Sequence, residues 1–306
     1  MWFRNDLRLN DNPALHAANA TGQAILCVFI LEDDFDGLRP LGGAARWWLD
    51  KSLRSLTSAI EARGGRLILR RGAASKHLPA LIKETGATSV YWNRRYGPSE
   101  RRVDEALKST LTAQGVGAKS FNGSLLNEPW AFTTASGGHY RVFSPFWRAV
   151  QANYRAPAPL ITKPNFANLD TPSEPLEFWD LHPKAPDWSS GFDIWSPGEA
   201  GAMANLDRFL ERAISAYSDD RNRPDLNSGT SRLSPHLRFG EIGPAQIWRA
   251  VQTQIEGGRI DRVGAMTFLS EIAWREFSYV LLFHSDNLAS ENYNRSFDFM
   301  PWEGNE

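Results

Sequence analysis

Residues 24–31, AILCVFIL, and residues 44–63, AARWWLDKSLRSLTSAIEAR, carry the strongest fold signal in the sequence. The first segment is a short, uninterrupted apolar run, which is typical of a strand buried on both faces of a parallel sheet. The second repeats apolar residues at helical spacing from Leu49 to Ile60, and Gly64 follows as a stop signal. Together they predict a strand and the helix that returns across its sheet.

The same alternation runs through the first part of the chain. Further strand candidates are Arg66–Arg70, Ser89–Trp92 and Gly117–Phe121, and a strand fragment precedes Arg4. Strands that alternate with helices predict an α/β fold with a doubly wound parallel sheet, which binds ligands at the carboxyl ends of its strands. Neither GxGxxG nor GxxxxGK occurs, so no dinucleotide or P-loop motif marks this part.

Changes in composition predict three segments. Residues 1–127 form the α/β domain. Residues 128–197 hold ten prolines with tryptophans between them, and we interpret them as a long connector that packs over both neighbours. Residues 198–306 are predicted to be helical.

Three helices are predicted in this last segment. GEAGAMANLDRFLERAISAY, residues 198–217, has amphipathic spacing after a Ser-Pro start. A second helix begins near Gly243 and Pro244, and a third runs from about Val263 to His284.

Charge and cysteine content exclude several classes of protein. The net charge is −1, no apolar run is long enough for a membrane span and no signal-peptide core opens the chain, so a cytoplasmic protein is expected. Cys27 is the single cysteine, and the six histidines lack metal-site spacing, so neither an internal disulfide nor a metal site is expected. Residues 221–275 hold eight arginines and no lysine, which favours forked contacts to phosphate or, equally, surface ion pairs.

The stretch YSDDRNRPDLNSGTSRLSPHLRFGEI, residues 217–242, separates the first two of these helices. Thr230, Ser231 and Ser234 supply short hydroxyl groups, and Arg232 adds a fixed cation. This combination suits a pyrophosphate, although the same pattern also serves as an ordinary helix cap.

The third helix contains FLSEIAWREFSYVLLFH, residues 268–284. Glu271, Trp274 and Arg275 share one helical face. They predict either the wall of a pocket that stacks on a flat base or a surface ion pair beside a core tryptophan. Near the start of the chain, Arg4, Asp6 and Arg8 follow the first strand and predict either charges in the sheet crevice or a salt-bridged turn.

Four motifs resemble those of the photolyase/cryptochrome flavoproteins, in the same order. They are WFRNDLRLNDNPAL at 2–15, RWWLDKSLRSL at 46–56, the stretch at 217–242 and FLSEIAWREF at 268–277. The pairing of the last two is most similar to microbial cyclobutane pyrimidine dimer photolyases. The resemblance implies an α/β antenna domain, a connector and an all-α FAD-binding domain.

The resemblance also implies roles for individual residues. FAD would be bound by Tyr217, Thr230, Ser231, Arg232, Leu233, Ser234 and Phe268. DNA would be contacted by Arg221, Glu271, Trp274, Arg275 and Ser278. Glu271 and Trp274 would act directly on the lesion, and Trp302 would pass electrons from the surface to the flavin.

A second, antenna chromophore of folate or deazaflavin type is left open. Ser99 and Glu100 lie near the family's folate position, and Arg46 lies on the helix that lines its deazaflavin site. The expected protein is a monomer that binds DNA containing pyrimidine dimers and splits them with FAD and blue light. The alternatives are a cryptochrome-type photoreceptor, or a non-catalytic remnant in which only the α/β domain folds.

The sequence ends at PWEGNE, partway through the family's FAD-binding domain, so the resemblance predicts an incomplete helical domain. We therefore expect apolar surface to be exposed at Phe277, Val280 and Leu281. We also expect the 306-residue chain to bind FAD weakly and to repair little.

Overall fold

A computed structural model describes residues 1–33 and 40–301. Its five strands form one parallel sheet in the order β3-β2-β1-β4-β5. This topology confirms the predicted doubly wound sheet, whose strand order reverses between β1 and β4. The strands are β1 (Trp2–Phe3), β2 (Cys27–Leu31), β3 (Leu67–Arg71), β4 (Ser89–Asn93) and β5 (Gly117–Phe121).

Four helices cover the two faces of the sheet. They are α1 (Pro13–Asn19), α2 (Gly43–Glu61), α3 (Ala74–Thr85) and α4 (Pro98–Ala113). Because side chains alternate along a strand, Phe29 packs in the layer that contains α1 and α2. Its neighbour Ile30 packs in the opposite layer, with α3 and α4. Both faces are therefore buried, which explains why β2 is apolar throughout.

The connector contains a helix that the sequence analysis did not predict, α5 (Phe143–Asn153). Its residues Phe146 and Val150 are buried in the core of the helical part. Farther along, Phe166 and Trp179 are buried against the sheet layer that contains α2. The connector thus packs on both halves of the molecule, as its aromatic content predicts. Its short 3₁₀ turns are Leu176–Trp179 and Ser189–Phe192.

The helical part has its own apolar core. Its helices are α6 (Glu199–Arg212), α7 (Tyr217–Asp220), α8 (Ser234–Phe239), α9 (Pro244–Glu256) and α10 (Arg262–Phe283), with 3₁₀ turns at Ile214–Ala216 and Arg295–Phe297. The first predicted helix therefore ends five residues early. The start of α10 is fixed by Asp261, whose side chain accepts from Gly264 N at 3.0 Å.

Two residues correct the expectation of exposed apolar surface on the third helix. Phe277 and Val280 are 5% and 4% exposed, because they face α5 and the rest of the helical core. Leu281 is half-buried against the same core. This face of α10 therefore gives no reason to expect weak FAD binding.

The two halves meet through close backbone contact. A Cβ atom on Gly240 would lie 2.0 Å from Asn5 O, and its φ of +66° also favours glycine. The buried guanidinium of Arg8 donates to Gly240 O at 2.9 Å and to Gly123 O at 2.8 Å. These contacts hold the turn before α9 against the first strand's carboxyl end. Within the described residues, no helix has the length and apolarity that a membrane crossing requires.

Candidate functional site

The segment that begins at Tyr217 is anchored in the helical core. The Tyr217 ring meets Phe209 edge-on at 5.4 Å and Phe268 of α10 at 5.5 Å. Four residues later, Arg221 Nη1 donates to Glu271 Oε1 at 2.5 Å. The guanidinium also lies 5.8 Å from the Tyr217 ring. The turn after α6 and the middle of α10 are therefore joined in one structural unit.

The turn over residues 230–234 carries an unusual backbone. Arg232 has a φ of +54°, and its Nη2 donates to Asn227 O at 2.8 Å. Ser231 Oγ accepts from Leu233 N, and the Leu233 side chain is buried. The hydrogen bond and the buried side chain together fix the turn against the helical core. Thr230 and Ser234 are exposed. The turn thus presents hydroxyl groups and one arginine to the surface.

A second arginine lies near this turn. Arg208 Nη2, on α6, is buried and has no hydrogen-bond partner among the described residues. Burial lowers the pKa of Arg208, and the positive charges of Arg232 and Arg212 lower it further. In the described part of the chain, neither Arg208 nor Arg232 has a carboxylate partner, whereas Arg212 pairs with Glu211 at 3.4 Å. Two uncompensated guanidinium groups favour a multiply charged anion at this place.

One turn beyond Glu271, α10 presents a large aromatic surface. The Trp274 side chain is 45% exposed, and Phe143 stacks on one of its faces at 3.7 Å with an interplanar angle of 9°. Ser278 is exposed beside it and donates its hydroxyl to Trp274 O. The indole is thus held in one plane, and a flat group can stack on it.

Arg275 is engaged on another side of the helix. Its Nη1 donates to Ser124 O at 2.7 Å, and its guanidinium lies 4.9 Å from the Tyr279 ring. These contacts join α10 to the end of the α/β domain. We therefore regard Arg275 as a residue that positions α10, in addition to the phosphate contact that the sequence predicts.

Sequence reasoning missed Glu276, which is buried next to Arg275. Its Oε2 accepts from Leu126 N at 2.7 Å and from Asn127 N at 3.4 Å. Burial raises the pKa of Glu276 to about 7, although the Arg275 charge and both backbone donors oppose this. A carboxylate on the apolar face of a helix is the signal that could have revealed it.

Glu276 gives a testable pH dependence of stability. Because its folded-state pKa lies above the ordinary value of 4.5, its contribution to stability is fully present below pH 4.5 and is lost as the pH rises through about 7. In the wild type, the free energy of unfolding should fall by about 3 kcal/mol between pH 4.5 and about pH 7. We expect Glu276→Gln to remove this fall. Urea unfolding of wild type and variant at pH 5 and pH 8 measures this difference. Parallel pH profiles for the two proteins would contradict it.

A second buried carboxylate, Glu241, was also missed. It accepts from Trp48 Nε1 at 3.0 Å, from Gly198 N at 2.7 Å and from His236 Nδ1. Glu241 and His236 are both fully buried, and Asn205 contacts the other ring nitrogen of His236 at 3.0 Å. This network joins α2, α6 and α8, and α8 begins at Ser234, the last residue of the 230–234 turn.

The sheet has a separate crevice of about 100 Å³ at the carboxyl ends of its strands, where the strand order reverses. Glu100 lines it, together with Arg95, which donates to Glu32 at 2.8 Å. Ser99 instead accepts from Arg102 at 2.9 Å, and Arg46 donates to the carbonyl groups of Trp179 and Asp180. Of the three antenna candidates, the structure therefore places Glu100 at the crevice.

Two further predictions concern other parts of the chain. Trp302 lies outside the described residues. Among the residues that are described, no group of three or more His, Cys, Asp or Glu side chains is arranged to hold a metal ion.

Comparisons with known proteins bear on this arrangement. The family model "DNA photolyase" matches residues 1–165. A deoxyribodipyrimidine photo-lyase of Agrobacterium fabrum is 45% identical over the whole chain, which spans 63% of that protein's length. Cryptochrome-1 of Arabidopsis thaliana is 32% identical over 99% of the chain and 45% of its own length. The crystal structure of a bacterial class III photolyase from Agrobacterium tumefaciens superposes with a TM-score of 0.92 at 45% identity, covering 99% of this chain and 62% of that one.

Proposed function

We propose a function from the premise that this chain belongs to the DNA photolyase family. The proposed activity is that of a deoxyribodipyrimidine photo-lyase, a carbon–carbon lyase that splits cyclobutane pyrimidine dimers in DNA with FAD and blue light. The observation that carries it is the ion pair between Arg221 and Glu271. The pair joins the segment that leads into the 230–234 turn to α10, which carries the exposed ring of Trp274, and this connection supports one shared site.

The turn fits the phosphate groups of FAD. Arg208 and Arg232 lack carboxylate partners in the described part of the chain, and a buried Arg208 donor is unpaired. Thr230, Ser231 and Ser234 would add hydroxyl donors around the same anion. Tyr217, Leu233 and Phe268 would support the cofactor from the helical core.

Trp274 and Glu271 would bind the lesion. A dimer that has flipped out of the duplex would stack on the face of Trp274 that Phe143 leaves open. Glu271 would accept from a base N–H through Oε2, since Oε1 already accepts from Arg221. Arg221, Arg275 and Ser278 would contact the strand around it. When bound, FAD would supply the electron that opens the ring under blue light and take it back afterwards.

FAD binding tests the proposed phosphate site, which consists of the 230–234 turn and Arg208. We expect Arg232→Ala to weaken FAD affinity about tenfold or more, because a charge-assisted contact is lost. Titration of FAD with the chain, followed by flavin fluorescence, measures this change. Arg223→Ala is the matched control, since Arg223 lies on the same stretch but pairs with Asp225 at 2.7 Å. Equal losses of FAD affinity in both variants would exclude Arg232 from the phosphate site.

Repair is tested with an oligonucleotide that contains one thymine dimer. Dimer loss under blue light and none in the dark, from the chain loaded with FAD and chemically reduced, would support the proposed activity over the expectation of little repair. The identity to Cryptochrome-1 keeps a photoreceptor as the second candidate. A light-dependent flavin change without dimer loss would favour that candidate.

The proposal also includes a second chromophore. We place a folate-type or deazaflavin antenna at the sheet crevice that Glu100 lines. Arg46 and Ser99 would then contribute only through rearrangement of their present contacts. Electron transfer through Trp302 is also proposed from the family resemblance.

A further inference from the structure

The segment His139–Phe143 lies along α10 and is held at both ends by ring stacking. His139 stacks on His284 at 4.3 Å with an angle of 6°, and Phe143 stacks on Trp274. Ten helical residues span about 15 Å, and a nearly extended chain covers that distance in four to five residues. The segment therefore runs antiparallel to α10 with its backbone almost extended.

The centre of this segment carries an uncompensated charge. Arg141 is exposed and has no ion-pair partner among the described residues. With His139 and His284, it lines a depression of about 590 Å³ at the end of α10. The remaining charged residues that line the depression are paired: Asp286 contacts Arg101 at 2.5 Å, and Glu291 contacts Arg295 at 3.2 Å.

The imidazole groups add hydrogen-bond donors rather than charge, because the neutral form of His139 is favoured. Burial lowers the pKa of His139, and the charges of His284 and Arg141 lower it further. A neutral imidazole keeps one ring N–H, which can donate to a phosphate oxygen that pairs with the Arg141 guanidinium. Arg141 and the two stacked imidazoles therefore form a receptor for a negatively charged group.

We propose that Arg141, with His139 and His284, binds the phosphate backbone of the nucleic-acid strand whose base stacks on Trp274. This inference rests on the proposed function. The length of helix from Trp274 to His284, about 15 Å, corresponds to roughly four nucleotides of B-form strand. The strand would thus continue from the indole ring along the segment to the depression.

Salt-dependent DNA binding by the 306-residue chain tests this surface. We expect Arg141→Ala to reduce the slope of log affinity against log salt by about 1. Affinity should fall several-fold, and by the same factor for a duplex with one thymine dimer and for the undamaged duplex. Arg141→Lys should restore the slope. Arg148→Ala, at an exposed arginine of α5, should leave it unchanged.

The outcomes separate this inference from the function on which it rests. A wild-type chain that binds damaged and undamaged DNA equally would contradict the proposed function. A wild-type chain that prefers damaged DNA, with an unchanged slope in Arg141→Ala, would overturn the phosphate contact. So would a loss in Arg141→Ala that is confined to the damaged duplex, since a backbone contact does not read damage.

Discussion

Trp274→Ala is expected to reduce affinity for DNA containing a thymine dimer about 10- to 100-fold while FAD affinity stays unchanged. Stacking of one base on an aromatic ring contributes roughly 1–3 kcal/mol, and the substitution removes the exposed stacking surface. The ring neighbours of Trp274 are Phe143 and Phe277, so the 230–234 turn is not disturbed. Fluorescence anisotropy with damaged and undamaged oligonucleotides measures the change.

Trp188→Ala is the matched control for this experiment. Trp188 is 43% exposed, close to the 45% of Trp274, and it lies on the connector beside Phe192. We expect this variant to bind damaged DNA as the wild type does. A similar loss in both variants, or none in Trp274→Ala, would exclude Trp274 from the lesion site.

Glu241→Ala is expected to cause the largest loss of stability, about 3–5 kcal/mol. The substitution leaves Trp48 Nε1, Gly198 N and His236 Nδ1 buried without their acceptor. Urea unfolding monitored by tryptophan fluorescence measures it. FAD affinity should fall as well, because Trp48 packs on Trp195, over which Arg232 lies at 5.7 Å.

Glu241→Gln provides the comparison for this prediction. It keeps one oxygen for Trp48 and Gly198 but no longer offers an anion to His236. We expect a smaller loss, about 1–2 kcal/mol. If Glu241→Ala were as stable as Glu241→Gln, the network would not hold the helical part to α2.

The sheet could be predicted from the sequence because its signal is local. Each of β2 to β5 is a short run between turn residues, and the strand bounds differ from the predictions by three residues at most. The helix α5 was missed because Pro145 and its neighbours resemble the rest of the proline-rich connector. A proline in the first turn of a helix is well tolerated, so its presence did not exclude one.

The site was predictable only in part. Periodicity places Glu271 and Trp274 on one face, yet no local pattern indicates that Arg221 pairs with Glu271 or that Phe143 stacks on Trp274. Glu241 was missed because its partner Trp48 is 193 residues away in the chain. Buried polar networks depend on such distant contacts, and the sequence marks them only as polar residues at apolar positions.

The most direct test of the account is the fluorescence of flavin bound to the chain when DNA is added. If the turn after Tyr217 holds FAD and α10 holds the lesion, an oligonucleotide with one thymine dimer should change that fluorescence. The same oligonucleotide without the dimer should leave it unchanged. Saturable FAD binding with identical responses to both oligonucleotides would contradict a shared site for flavin and damaged base.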